Sequence, residues 1–275
     1  MSMRLQVRHV TGYRYDSEVV SSYNEARVVP HTGAAQLTLS SVLVTRPDAR
    51  QQKYWDYWGT QVNVFDIHLP HVELEVTCTS VVDTADAASP GDPSWDVLAG
   101  AADRHVELLR PSVRTAADEG LSAVAAELSG SPYQVVRGVT ELVRERVAYV
   151  PGSTGVATSA VEAFQLGQGV CQDIAHVTLA LLRTAGVPAR YVSGYLHPSV
   201  EPERGETVAG ESHAWVEVWL GDWWGFDPTN GIPAGERHVV VARGRDYTDV
   251  PPLKGVYAGG GAQTLGVSVE VTRLS

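Results

Sequence analysis

Three residues in this chain, Cys171, His213 and Asp227, have side chains that together could carry out covalent catalysis. A thiol becomes an effective nucleophile when an imidazole takes its proton, and the imidazole serves best when a third group fixes its tautomer and orientation. Such a set attacks a carbonyl, holds the acyl group as a thioester and passes it to water or an amine. The cysteine lies in Gly167-Gln168-Gly169-Val170-Cys171-Gln172-Asp173-Ile174-Ala175-His176.

Positioning these groups requires a helix and a hairpin. Val170, Ile174, Val177, Leu181 and Leu182 recur at helical spacing, and Gly186 followed by Pro188 supplies a C-terminal stop. A helix therefore starts at or just before Cys171, and a thiol there faces unpaired N–H groups that favour the thiolate. A free cysteine is otherwise a small buried hydrophobe, but the glycine-flanked elbow ahead of the helix favours the reactive reading. Ser212 to Leu220 alternates like a strand, and Trp223 to Gly231 reads as its return strand after Gly221-Asp222.

Hairpin register decides whether His213 and Asp227 can meet. A two-residue turn with Leu220 opposite Trp223 would put them on opposite faces. A three-residue loop from Leu220 to Asp222, with Trp219 opposite Trp223, sets His213 opposite Thr229. Asp227 is then its diagonal neighbour on the same face, with backbones about 7–8 Å apart. A working set thus requires an odd loop, or a bulge between Trp223 and Phe226. It also requires a hydrogen bond from His213 to Asp227, with Cys171 on the other side of the ring.

With these residues assembled, the chain resembles the transglutaminase-like superfamily. The matching motifs are Gly-Val-Cys-Gln-Asp-Ile-Ala-His around Cys171, Ser-His-Ala-Trp-Val-Glu-Val around His213 and Gly-Phe-Asp-Pro-Thr-Asn around Asp227. The resemblance implies a Cys171 nucleophile, a His213 base and an Asp227 orienting group. It also implies an α+β fold, with an N-terminal antiparallel β-module ahead of a papain-like core of helices on an antiparallel sheet. Arg8 to Tyr15 and Asn24 to Pro30 are similar to the β-region that precedes bacterial members, and Gly244-Arg245-Asp246-Tyr247 is similar to their tail.

The chain has 275 residues, of which 44% are hydrophobic, enough for one large or two modest domains. A net charge of -11 without a basic run offers no electrostatic footprint for nucleic acid or an anionic membrane surface. The N-terminal stretch Met1 to Val10 has no apolar signal core and no later stretch is long enough to span a bilayer, so a cytoplasmic protein is expected. Pairing Cys78 with Cys171 would consume the proposed nucleophile, so no structural disulfide is expected. Cys78 falls in an alternating run, Val72 to Cys78, without catalytic company.

Residues 3 to about 83 read as strands, with alternation in Leu5 to His9, Gln36 to Val44, Val62 to His68 and Val72 to Val82. Asp83 to Pro93 is a linker by composition, which sets a β-module over 1–90 and a catalytic domain over 91–275. Helices are predicted over 97–109 and 116–128, and from Ser131-Pro132 onward through Val135, Val139, Leu142 and Val143. Ser159 and Glu162 form a capping box for a short helix that stops at Gly167. His238 to Ala242 and Gln263 to Arg273 read as extended.

Other residues have plainer readings. His68 and His71 lack the ligand company of a zinc site, so no metal and no cofactor is expected, and no glycine run matches a phosphate loop. Asp173 suits the first turn of a helix, and His176 suits packing or hydrogen bonding behind the site. Trp215, Trp219, Trp223 and Trp224 could line an acyl-acceptor cleft or fill a core. Gln168 and Tyr149 are candidates for a side-chain oxyanion donor.

The expected partner is a peptide or amide substrate, attacked by Cys171 and released by hydrolysis. An amine acceptor would make the same triad a transglutaminase or amide-forming acyltransferase. The contrasting expectation is a catalytically silent peptide-binding module, but a binder has no chemical need for all three residues.

Overall fold

The computed structural model describes residues 2–86, 89–210 and 212–275. The chain runs through β1 (Ser2–Ala26), β2 (Gln36–Arg46), β3 (Gln51–Trp55), β4 (Gln61–Ile67) and β5 (His71–Ala85). Next come α1 (Trp95–Gly100), α2 (Val106–Leu109), α3 (Glu119–Ala126), α4 (Pro132–Arg146), β6 (Ala148–Tyr149), α5 (Ala160–Leu166), β7 (Gln168–Gly169) and α6 (Cys171–Thr184). The last part holds β8 (Ala189–Leu196), β9 (Thr207–Gly210), β10 (Ser212–Trp219), β11 (Trp223–Asp227), β12 (Ile232–Pro233), β13 (His238–Gly244), β14 (Leu253–Gly259) and β15 (Gln263–Arg273). The fold is α+β, as the sequence predicts.

β1 organises the first sheet. Met3, Leu5, Val7, His9 and Thr11 are buried at every second position, the period of a strand with one face on a core. Its first half pairs with β5 on one side and β15 on the other, and its second half pairs with β4 and β14. Register shifts between Arg14 and Val19 and between Val19 and Ser21 let one 25-residue strand serve two sets of partners. The eight-stranded sheet has the order β2-β5-β1-β15-β9, with β14 and β4 also on β1 and β3 on β4.

The position expected for a boundary, near residue 90, lies between β5 and α1, yet β9, β14 and β15, all beyond it, are hydrogen-bonded into the first sheet. The predicted linker starts later than its composition suggests, because Asp83 to Ala85 still pair with Ser2 to Arg4. Residues 87 and 88 of that linker lie outside the described residues.

The second sheet, ordered β12-β11-β10-β8-β13, carries the helices. α6 is buried from Gln172 to Arg183 and packs against β8 and β10, with α3, α4 and α5 around it. Ala214, Val216 and Val218 of β10 share a core with Ile174, Val177, Leu181 and Leu182. Each fully buried leucine there contributes about 1.5–3 kcal/mol. The single helix predicted over 97–109 is instead two, α1 and α2. Leu98 and Leu108 are both buried, but in one straight helix they would point about 80° apart. The break between them lets both face the core.

The ends of α4 and α5 follow their capping residues. Ser131 accepts from Gln134 N–H and Ser159 from Glu162 N–H, each as a reciprocal box. Among the described residues no helix is long and apolar enough to cross a membrane.

Gly194 on β8 lies under the Trp215 ring and against Val239. A Cβ added there would sit 2.6 Å from the ring and 2.0 Å from the Val239 carbonyl oxygen. Gly194→Ala is expected to destabilise the fold by about 1–3 kcal/mol or more, read as a lower urea midpoint with an unchanged slope. An unchanged midpoint would contradict this packing.

Candidate active site

The turn ahead of Cys171 is built from two glycines with different duties. Gly167 ends α5 in the left-handed region at φ 65°, which favours glycine, and Gly169 makes room for Asp173, whose Cβ would lie 2.7 Å from any added Cβ. Val170 then caps α6 with extended backbone, and Cys171 is the first helical residue. Asp173 accepts from Val170 N–H at 2.8 Å and from the Thr154 hydroxyl, which ties the elbow to the preceding loop. Burial pushes the Asp173 carboxyl up, against those hydrogen bonds.

The β10–β11 hairpin has the odd register that the triad needs. Trp219 faces Trp223 and Val216 faces Phe226, which leaves Leu220, Gly221 and Asp222 as a three-residue loop. Asp227 is thereby brought to the face of His213, and His213 Nε2 lies 2.7 Å from Asp227 Oδ2. Cys171 also interacts with the imidazole. Burial favours neutral His213, but hydrogen bonds to Asp227 and Cys171 outweigh it, and the pKa rises to about 10.

Asp227 is fully buried and saturated with donors. Oδ1 accepts from Thr229 N–H at 3.0 Å and Asn230 N–H at 3.2 Å, while Oδ2 accepts from His213 and from Asn230 Nδ2, each at 2.7 Å. A third donor to Oδ2 is His238 Nε2 at 3.3 Å. Because His238 Nδ1 accepts from Gly235 N–H at 3.2 Å, its proton sits on Nε2. Burial pushes the His238 pKa down and keeps the ring neutral, despite the pull of Asp227. Burial opposes ionisation of Asp227 as well, but the bonds from His213, His238 and Asn230 hold its carboxyl well below the usual range.

Asn230 and His238 are the partners of Asp227 that the sequence does not predict. Asn230 had a local signal, since Asp-Pro-Thr-Asn favours a turn in which the aspartate side chain accepts backbone N–H groups two and three residues on. His238 had none, because only the return of the chain into β13 brings it to Asp227. His238→Ala is expected to lower kcat about 10-fold, with His238→Gln recovering most of the loss by restoring a donor. Equal rates for both variants and the parent would remove His238 from the arrangement.

Cys171 and His213 open onto a cavity of about 380 Å³, lined also by Tyr149, Ala209, Gly210, Ser212, Thr229 and Asn230. Of the two oxyanion candidates, Tyr149 lines it and Gln168 does not. None of the four tryptophans lines it either. Trp215 is buried, Trp219 and Trp223 pack on His105, and Trp224 packs on Tyr133 and Phe226. Trp215 and Trp223 instead line a separate cavity of about 370 Å³ with Arg190, Glu217 and His238.

The other titratable residues singled out in the sequence have structural partners. His176 Nε2 accepts from Tyr247 N–H at 3.2 Å, and burial pushes its pKa down to about 3, so a neutral ring docks the tail onto α6. Cys78 is buried on β5 near the Ser41 and Ser80 hydroxyls, and burial pushes its thiol up. His68 pairs with Asp66, and His71 Nδ1 donates to the Leu69 carbonyl.

Comparison with known proteins agrees with this fold. Residues 122–228 match the core of the transglutaminase-like superfamily, and residues 5–83 match the bacterial transglutaminase-like N-terminal region. An uncharacterized protein of Mycobacterium leprae is 44% identical over 277 residues, covering 99% of each chain. The protein-glutamine gamma-glutamyltransferase of Pseudomonas aeruginosa is 32% identical over 126 residues, 43% of this chain and 18% of that protein. A crystal structure from Cytophaga hutchinsonii, provisionally assigned as a cysteine protease, has the same fold. Its TM-score is 0.81 at 24% identity, over 100% of this chain and 92% of that one. With its helix-start cysteine, strand histidine and hairpin aspartate in the expected order, the chain belongs to the transglutaminase-like superfamily and carries the N-terminal region of its bacterial members.

Proposed function

We propose that the protein is a cysteine-dependent acyl-transfer enzyme acting on a peptide or amide carbonyl, with water as the acceptor. The observation that supports it most is the 2.7 Å bond from His213 to Asp227, in a cavity that also holds Cys171. Cys171 thiolate attacks the carbonyl carbon, a C–S bond forms, and the carbonyl electrons move to oxygen. Backbone N–H groups at the start of α6 face that oxygen. Protonated His213 gives its proton to the leaving nitrogen as the C–N bond breaks, leaving a thioester and neutral imidazole. His213 then takes a proton from water, which attacks the thioester, and the thiolate leaves. Asp227 keeps the proton of His213 on Nε2 when the ring is neutral and balances its charge when it is not.

The second reading is attack by an amine in the last step, and the likeness to the Pseudomonas gamma-glutamyltransferase favours it. The steps up to the thioester are common to both. Incubation with a peptide and amide library, with and without a primary amine, separates them by product mass. Hydrolysis products in excess support the first reading, and amine adducts in large excess would replace it with the second.

A further inference from the structure

β9 is an edge strand placed beside the nucleophile. It pairs with β15 on one side, and among the described residues no strand pairs with its other side. Arg273 N–H donates to the Glu206 carbonyl, so Thr207 and Thr272 form a non-hydrogen-bonded pair, as do Ala209 and Glu270 two residues on. The backbone N–H and C=O of Thr207 and Ala209 therefore point away from β15, toward the open edge. Ala209 and Gly210 are also part of the wall of the cavity that holds Cys171 and His213, and beyond Gly210 the position of an added Cβ meets nothing within 4 Å. β9 lacks the lysine, proline or bulge that commonly blocks such an edge.

Two further points fix what the edge could take. Its open groups are two donors and two acceptors spaced two residues apart, which matches the backbone of an extended polypeptide and not a small amide. Ala209 is also only four residues before His213, no more than about 13 Å along an extended chain. A strand docked on β9 is thus held in fixed register with the reacting groups.

We infer that β9 is a docking strand: the donor substrate is an extended polypeptide segment that adds to its free edge and so delivers a carbonyl to Cys171. The inference rests on the proposed acylation of Cys171 and adds the class of donor. It makes backbone amides, with a period of two, the main element recognised, so side-chain preference would be confined to the residue next to the attacked bond.

The test compares two chloromethyl ketones that alkylate Cys171, N-acetyl-Gly and N-acetyl-Ala-Ala-Ala-Gly, on the full protein. The longer reagent is expected to react on the order of 10²-fold faster, from the backbone hydrogen bonds it adds. N-methylation at alternate peptide nitrogens of the long reagent should abolish the gain in one parity and spare it in the other. Amide exchange at Thr207 and Ala209 should slow after labelling with the long reagent only. Equal rates for the two reagents, loss of the gain wherever a methyl is placed, or unchanged exchange at Thr207 and Ala209 would overturn the inference while leaving the nucleophile assignment intact. Protection that depends on protein concentration without any reagent would assign the edge to a second copy of the chain and likewise overturn it. If neither reagent labels Cys171, the proposed function fails and this inference with it.

Discussion

Cys171→Ala is expected to lower the rate of acyl transfer on the order of 10⁶-fold while leaving the fold in place. The loss is large because no other residue lining the cavity carries a thiol; Cys78, the other cysteine, is buried on β5. The structural cost is small because Cys171 is only half-buried at the first position of α6 and packs against the edge of the core, so Ile174, Val177 and Leu181 keep their own burial when one sulfur is removed. Steady-state rates with an activated ester, together with the urea midpoint, measure both. A catalytically silent binding module would show no rate to lose, and retained activity in Cys171→Ala would place the nucleophile elsewhere.

Asp227→Asn carries the second large effect, a fall in turnover of up to about 10⁴. Oδ1 of Asp227 accepts two N–H groups and Oδ2 accepts three donors, so an amide nitrogen in either place meets donors and loses acceptor capacity. His213 then loses the partner that fixes its tautomer and stabilises its charge. The same change should appear in the pH profile. The His213 pKa is raised to about 10, so the imidazolium that protonates the leaving group persists until the alkaline limb near that pH. Without Asp227 the limb moves to lower pH, since one of the two groups that raise the pKa is gone.

Stability follows the same sign. The stabilisation that protonated His213 gains in the folded state is complete below its unfolded value of about 6.5 and is lost as pH rises toward about 10. Asp227 has a lowered pKa, so its contribution is present above the unfolded carboxylate value of about 3.9 and fades as pH falls through the folded value. Urea midpoints measured across pH should therefore fall on the alkaline side in the parent, and fall less in Asp227→Asn. A near-normal rate and an unmoved limb in Asp227→Asn would show that another group orients His213.

Much of the site was legible because its parts are local. The elbow, the capping residues and the hairpin from Ser212 to Asp227 are each a short continuous stretch, and a period of two or 3.6 is enough to place side chains within them. The odd loop could even be required before it was seen, since only that parity puts His213 and Asp227 on one face. The parts that were not legible are those set by strand order. β14 and β15 return to β1 across the whole chain, so no window of sequence contains that pairing. β8 and β9 are not predicted for a related reason. β8 is almost wholly buried and β9 is only four residues long, so neither offers a clear alternation. His238 reaches Asp227 from β13, on the far side of β8 from β10, a placement fixed by the fold and by nothing near it in sequence.

The most direct measurement is to trap the acyl-enzyme. The protein is mixed with a p-nitrophenyl ester, quenched in acid during turnover, digested and mapped by mass spectrometry. The thioacyl account predicts the acyl group on the peptide containing Cys171, none on Cys78, and faster loss of the adduct when a good acceptor is added. Turnover with no adduct on Cys171, or an adduct on a different residue, would contradict it.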